Sequence, residues 1–171
     1  MQRKTILIAA GIIVAAGAWY AFRPERLFVN KVVNERFDAG TVAGTTPDGA
    51  AKPDLAAMTP TTVAAGQFHS NAHETRGTAT VYTLPSGKRI LRLTNFRTSN
   101  GPDVHVYLVA ARDVADNETV KRTGFVDLGS IKGNEGDQNY DVPADVDLAR
   151  YRAATIWCKR FGVNFGTAPL N

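Results

Sequence analysis

The feature that most constrains the fold is a series of short segments with alternating side chains, separated by glycine and proline turns, that begins near Gly66. Segments 77–84 and 89–96 flank the turn Pro85–Lys88, so they are expected to pair as a β-hairpin. Further segments of this kind cover 104–110, 125–132, 138–142, 154–161 and 163–166. About eight short strands without long helices between them predict an all-β fold, a small antiparallel β-sandwich or barrel-like domain.

The amino terminus carries a different pattern. Residues 5–22 contain no charged side chain, and Arg3 and Lys4 precede them. This apolar run reaches the lower length limit for a helix that crosses a membrane. Trp19 and Tyr20 near its end suit the headgroup region. We therefore expect residues 1–22 to form a signal anchor, a transmembrane helix.

The basic residues before the apolar run favour an amino terminus inside the cell and a carboxy-terminal domain outside the cytoplasm. An alternative is a cleaved signal peptide, because Ala16-Gly17-Ala18 fits the small-x-small cleavage pattern. Cleavage near Ala18 would release a secreted protein.

Residues 23–62 are expected to connect the anchor to the β domain. The segment 23–40 has the spacing of a short juxtamembrane amphipathic helix, with apolar residues at Leu27, Phe28, Val32, Val33 and Phe37. The segment 40–65 is rich in threonine, alanine, glycine and proline, a composition typical of a flexible tether. The β domain is then predicted to cover residues 63–171.

Composition and motifs narrow the classes of function. The net charge of +4 is mild and the basic residues are scattered, so no nucleic-acid partner is expected. The sequence lacks the HExxH, GxSxG, P-loop, GxGxxG and CxxC motifs. His69 and His73 lie in a predicted loop, so no metal site is expected, and no cofactor is evident. An accessory or binding domain is favoured over a stand-alone enzyme.

Cys158 is the only cysteine in the chain, so it cannot form an internal disulfide. Strand alternation places it on the apolar face with Ala154 and Ile156, where a free cysteine is usually buried and inert. The neighbouring Lys159 and Arg160 would instead favour a reactive thiolate. The residues leave both interpretations open.

Two residues of the neighbouring segment bear on this choice. Asp103, in the turn Gly101-Pro102-Asp103, is expected first to bond backbone amides. Its functional alternative is a position beside the thiol, where it would tune the protonation of Cys158. His105 shares a strand face with Tyr107 and is expected to be half-exposed.

Several elements together resemble the DM-13 domain, also called the electron-transfer DM domain, over about residues 63–171. They are Gly66-x-Phe68, Leu91-x-Leu93-x-Asn95-Phe96, Gly101-Pro102-Asp103-Val104-x-Val106-Tyr107-Leu108, Leu128-Gly129-x-Ile131-Lys132-Gly133, Gln138-x-Tyr140-x-Val142-Pro143 and Ile156-Trp157-Cys158-x-x-Phe161-x-Val163-x-Phe165-Gly166-x-Ala168. The resemblance implies an extracellular β-sandwich module whose cysteine is a proposed redox centre, at the place of Cys158. His105 departs from the family pattern, where an aromatic or apolar residue is usual.

Two functional hypotheses follow. In the first, a membrane-tethered electron-transfer domain uses Cys158 as its redox thiol, through a sulfenic acid, a mixed disulfide, or a haem or metal supplied by a partner. Asp103, Tyr107 and Trp157 are the neighbours expected to shape its surroundings, and a redox protein is its partner. In the second, the domain is a non-catalytic binding or assembly module that contacts a cell-envelope component, and Cys158 only fills the core.

Overall fold

Two antiparallel β-sheets make up the body of the protein. The computed structural model describes residues 2–22, 29–37 and 59–171. In chain order its elements are α1 (Gln2–Phe22), β1 (Thr61–Gln67), β2 (His69–Ser70), β3 (Arg76–Thr83), β4 (Arg89–Arg97), β5 (Val104–Val109), α2 (Asn117–Thr123), β6 (Phe125–Ser130), β7 (Glu135–Val142), β8 (Ala153–Cys158) and β9 (Val163–Pro169). One sheet has the strand order β1-β3-β4-β7 and the other β2-β9-β8-β5-β6.

The predicted mostly-β architecture and the hairpin are confirmed. Strands β3 and β4 pair antiparallel from Thr83 opposite Arg89 to Arg76 opposite Arg97. The described residues contain nine strands instead of about eight, because they include the two-residue strand β2. Strand β1 starts at Thr61, inside the segment that was expected to be tether. Its threonines and small residues satisfy a strand as well as a linker, and its pairing with β3 decides the outcome.

The main core lies between the two sheets. Leu91 and Leu93 of β4 contribute from one sheet, and Val106 and Ile156 contribute from the other, all without exposed surface. These residues alternate along their strands with polar or outward-facing side chains, as a half-buried antiparallel sheet requires. Burial of apolar surface between the two sheets therefore stabilises the sandwich.

A second, smaller core lies on the outer face of the β5–β8 sheet. Val114, and Val120 of helix α2, pack against this face of the sheet and bury it. This helix was not expected from the sequence, although Asp116 caps it by accepting a hydrogen bond of 2.7 Å from the Thr119 backbone amide.

Helix α1 forms where the apolar run was found. Its described side chains, Ile6 and residues 8–20, are all exposed. Within the described ranges, no helix is long and apolar enough to cross a membrane. The transmembrane anchor therefore stays a prediction.

Residues 29–37, here called the strap, lie in extended conformation along the edge of β7. The Val33 amide donates to the Glu135 carbonyl at 2.9 Å, and the Glu35 amide donates to the Asp137 carbonyl at 2.9 Å. The amphipathic helix expected over 23–40 is wrong for this part, and the rest of that prediction lies outside the described residues. Backbone pairing with a free sheet edge explains the extended form, because the edge offers unpaired amides and carbonyls.

Candidate functional site

Cys158 is the last residue of β8 and lies in the main core. It pairs with Val104 of β5 and with Val163 of β9. The cysteine is 0 % exposed and belongs to the same apolar cluster as Ile156 and Phe165. The prediction that Cys158 faces the apolar side together with Ile156 is confirmed.

Trp157 and Tyr107 lie on the opposite face of the same sheet. Their ring centroids are 6.2 Å apart with an interplanar angle of 25°. Phe125 stacks on Tyr107 at 4.2 Å and 3°, so three rings form a continuous stack. Trp157 is 6 % exposed and Phe125 is 45 % exposed, so the stack runs from the surface into the second core.

Burial and charge keep Tyr107 protonated. Desolvation, followed by the negative charges of Asp127 and Asp103, raises the pKa of Tyr107 to about 12. Loss of the phenolic proton is therefore unfavourable on this face. A reaction that forms a phenolate or a phenoxyl radical at Tyr107 must therefore supply the free energy needed to remove the phenolic proton.

A polar cluster borders the aromatic stack on the same outer face. His105 Nδ1 lies 2.8 Å from Asp127 Oδ1, and His105 Nε2 lies 3.1 Å from Asp103 Oδ1. The Ser130 hydroxyl is 3.1 Å from the same Nε2, and Lys159 Nζ lies 3.2 Å from Asp127 Oδ2. The strand register explains this meeting, since His105 sits opposite both Ser130 of β6 and Trp157 of β8.

Asp127 is held ionised by its neighbours. Partial burial raises its pKa, but hydrogen bonds from His105, from the Gly129 amide and from Lys159 outweigh burial and hold it below the usual range. The carboxylate therefore fixes the positions of the imidazole and the ammonium group.

The predicted site residues are divided between the two faces of the sheet. Tyr107 and Trp157 come together on the outer face, and the Asp103 carboxylate joins them there through His105. The Cys158 side chain points into the core on the other face. Asp103 approaches Cys158 only through the backbone, where its carbonyl accepts from the Lys159 amide at 2.8 Å.

Three residues of this outer face were not expected from the sequence: Phe125, Asp127 and Ser130. All three lie on β6, whose pairing with β5 is shifted between His105 and Tyr107. Strand alternation gives the face of a residue but not its partner on the next strand. A histidine in the middle of an apolar strand was the available signal that an acidic partner lies nearby.

The surroundings of Cys158 do not fit a haem or a metal ion. The sulfur is covered by apolar side chains of both sheets. Among the described residues, no three histidine, cysteine or acidic side chains form a group that could hold a metal. The two surface pockets beside the strap, near Arg97, are lined by other residues and not by Cys158.

This arrangement restricts the chemistry that can occur at the thiol. Disulfide exchange and oxidation to a sulfenic acid both need a reagent in contact with the sulfur. In the closed sandwich no such contact is available. The Trp157 ring, by contrast, is linked to the surface by the aromatic stack through Tyr107 and Phe125.

Comparison with known proteins gives one family. A family model described as Electron transfer DM13 matches residues 67–170. The matched part extends from the end of β1 to the end of β9, and α1 and the strap lie outside it. Searches of curated proteins and of solved structures gave no match.

Proposed function

This chain belongs to the DM13 electron-transfer family, and from that premise we propose that it is a membrane-anchored electron-transfer accessory domain that works outside the cytoplasm. The observation that carries the proposal is the Trp157–Tyr107 pair, with ring centroids 6.2 Å apart across the sheet from Cys158. Its surroundings exclude water, and the half-exposed ring of Phe125 connects it to the surface.

Trp157 is the better electron carrier of the two rings. Oxidation of Tyr107 is coupled to loss of its proton, which the raised pKa opposes. An indole can lose one electron and remain protonated. In the proposed relay, a reduced one-electron centre of a donor protein is oxidised, the oxidised centre of an acceptor protein is reduced, and Trp157 returns to its neutral form.

The polar cluster has a place in this relay. Asp103 and Asp127 are the negative charges that act on Tyr107 from the outer face. The same carboxylates attract a positive charge on the neighbouring Trp157 ring, but Lys159 offsets part of the charge of Asp127, and both carboxylates are partly exposed to water that screens them. Asp103 thus acts on the aromatic pair and not on the thiol.

The proposal keeps Cys158 as the candidate redox thiol but narrows its chemistry. A sulfenic acid or a mixed disulfide would need opening of the sandwich, because the sulfur is 0 % exposed. One-electron exchange with Trp157, its neighbour in the chain, would need no reagent at the sulfur, but the S–H proton must leave the apolar core together with the electron, so this step also needs a transient opening. A haem or metal on Cys158 has no part in the proposal.

The membrane anchor and the location outside the cytoplasm belong to the proposal as well. Support comes from α1, whose described side chains are exposed on every side and include Ile8, Ile12 and Val14. These described side chains form no polar face, and a helical segment without a polar face favours an apolar environment. Arg3 and Lys4 favour the orientation with the β domain outside. Secretion after cleavage near Ala18 is the alternative.

A second candidate is a non-catalytic binding module of the cell envelope. The complete burial of Cys158 in the main core favours it, because buried free cysteines are usually inert packing residues. In that case Trp157 and Tyr107 are also only core residues.

Thiol labelling of the folded full chain tests the restriction on Cys158. The chain contains one cysteine, so the signal needs no background correction. We expect labelling at neutral pH to be at least about a thousandfold slower in buffer than in denaturant, because it requires an opening that costs several kcal/mol. Rapid labelling of the folded protein would instead restore direct thiol chemistry.

A further inference from the structure

We propose that the β8–β9 turn, with Phe161 at its tip, contacts an anionic lipid surface, and that the strap holds the domain in this orientation. The inference rests on the proposed membrane anchor and goes beyond it. An anchor alone leaves the orientation of the domain open. Here the orientation is set by contacts within the domain.

The turn has the composition of a membrane-interface contact. Phe161 is 68 % exposed, the largest exposure of any described aromatic side chain of the β domain. Lys159 and Arg160 precede it, and a hydrogen bond of 2.8 Å from the Gly162 amide to the Cys158 carbonyl closes the turn. Aromatic rings favour the headgroup region, and basic side chains favour anionic lipids.

The strap leaves the sandwich at the same end. The Asn100 side-chain amide donates to the Val29 carbonyl at 3.3 Å. Three residues later, the Asp103 carbonyl accepts from the Lys159 amide at 2.8 Å. Three residues of chain span at most about 11 Å. The exit of the strap and the base of the β8–β9 turn are therefore neighbours.

The strap also shortens the connection to α1. Helix α1 ends at Phe22 and the strap begins at Val29. Seven residues of chain span at most about 25 Å. The predicted tether of residues 23–62 would let the domain stand much farther away. With the strap docked, the end that carries Phe161 remains close to the surface in which α1 lies.

Side-chain contacts and close backbone packing hold the strap in addition to its backbone hydrogen bonds with the edge of β7. Lys132 Nζ lies 2.7 and 2.8 Å from the two carboxylate oxygens of Glu35. Gly133 and Gly136 make room for the strap backbone, since an added Cβ would lie 2.3 Å from the Lys31 carbonyl oxygen and 2.1 Å from the Val33 carbonyl oxygen. Both glycines therefore fit a backbone that passes close by.

A lipid surface is the occupant that these observations favour. The turn offers the ring of Phe161 and the cation of Arg160. Lys159 is paired with Asp127, whereas Arg160 has no ion pair among the described residues. An acidic protein could also attract Arg160. The short connection to α1, however, places a bilayer within reach of this end, and an anionic surface attracts basic side chains.

The test uses the full chain in vesicles of phosphatidylcholine and phosphatidylserine, in a Cys158→Ala background. An environment-sensitive dye is attached at Phe161→Cys or, as the control, at Ser86→Cys in the β3–β4 turn at the opposite end of the sandwich. Strand β4 spans about 30 Å between the two ends. Flotation reports whether the chain is bound, and lipids with a quencher at the headgroup report contact.

We expect the chain to float, with several-fold stronger quenching at position 161 than at position 86. Arg160→Glu should reduce the quenching at 161, whereas the matched Lys88→Glu at the opposite end should not. Gly133→Val, which displaces the strap, should leave flotation intact and bring the two dye positions toward equal quenching.

Two results would overturn the inference in different ways. If the chain floats but position 161 is quenched no more than position 86, the lipid contact is refuted and the anchor stands. If the chain does not float, the anchor fails and the inference fails with it. Neither result bears on electron transfer through Trp157, which is measured separately.

Discussion

Replacing Gly133 by alanine should loosen the strap while leaving the sandwich intact. The added Cβ would lie 2.3 Å from the Lys31 carbonyl oxygen and 2.9 Å from Val33 Cγ2. To reach a separation of 3.0 Å, the Lys31 carbonyl must retreat by about 0.7 Å. Gly133 has an ordinary backbone conformation, so the substitution adds no strain apart from this collision.

The size of the effect follows from the hydrogen bonds near the collision. The Glu135 amide donates to the Lys31 carbonyl at 3.3 Å, and the Lys31 amide donates to Asn134 Oδ1 at 2.7 Å. With a net value of about 0.5–1.5 kcal/mol for each bond, their loss costs about 1–3 kcal/mol. Alanine also restricts the unfolded chain, which stabilises the whole fold by about 0.4–1 kcal/mol but does not enter strap docking, because residue 133 is folded whether or not the strap is docked. The expected loss in strap docking is therefore about 1–3 kcal/mol.

Hydrogen exchange at the Val33 and Glu35 amides measures this loss directly. Their protection should fall by about tenfold, because about 1.4 kcal/mol corresponds to a factor of ten. The control is the same substitution in a chain without residues 1–37, where alanine should be neutral or slightly stabilising. Unchanged exchange at Val33, or equal destabilisation of the shortened chain, would refute the docked strap.

Three further predictions concern the site. Cys158→Ser should lower the free energy of unfolding by about 1–3 kcal/mol, because the serine hydroxyl would be buried without a hydrogen-bond partner. Cys158→Ala should lower it by about 1 kcal/mol. Urea denaturation measures both losses, and equal, negligible losses would contradict the core position of Cys158. The pKa of Asp127 is lowered in the folded protein, so Asp127 stabilises the fold above its unfolded pKa of about 3.9, and this contribution is lost as the pH falls through the folded value. In denaturation measured at several pH values, Asp127→Asn should make the free energy of unfolding less dependent on pH in the acid range. Tyr107, with its pKa raised to about 12, adds stability that is lost as the pH rises from about 10 toward that value; Tyr107→Phe should remove one late component from the ultraviolet titration of the five tyrosines.

Much of the sandwich could be predicted because it follows from local patterns. Alternation of side chains gave the hairpin of β3 and β4, and it placed Cys158 and His105 on their correct faces. These predictions need only the period of a strand, which each segment carries in its own residues.

The strap could not be predicted from its own pattern. The spacing of Val32, Val33 and Phe37 satisfies an amphipathic helix, yet the segment is extended. Its conformation depends on partners about a hundred residues away, such as Glu135, whose edge position is known only once the sheet is assembled. Tertiary pairing overrides local preference in such a case.

The polar cluster escaped prediction for a related reason. Asp127 and His105 meet because of the register between β5 and β6, which includes an irregularity. A shift of one residue would place them on opposite faces. By contrast, helix α2 had a local signal in the Asp116 cap, which could have been used.

Flash oxidation of the folded protein tests the proposed electron relay most directly. The chain has two tryptophans, so a Trp19→Phe background leaves Trp157 as the sole indole. A photo-generated ruthenium(III) polypyridyl complex serves as the one-electron oxidant, and transient absorption follows the radicals. We predict an indole radical cation that is absent in Trp157→Phe and still forms in Tyr107→Phe. If the thiol exchanges electrons with Trp157, the radical cation should also live longer in Cys158→Ala. The absence of any indole radical in the folded protein would contradict the relay and leave the binding module as the account of this domain.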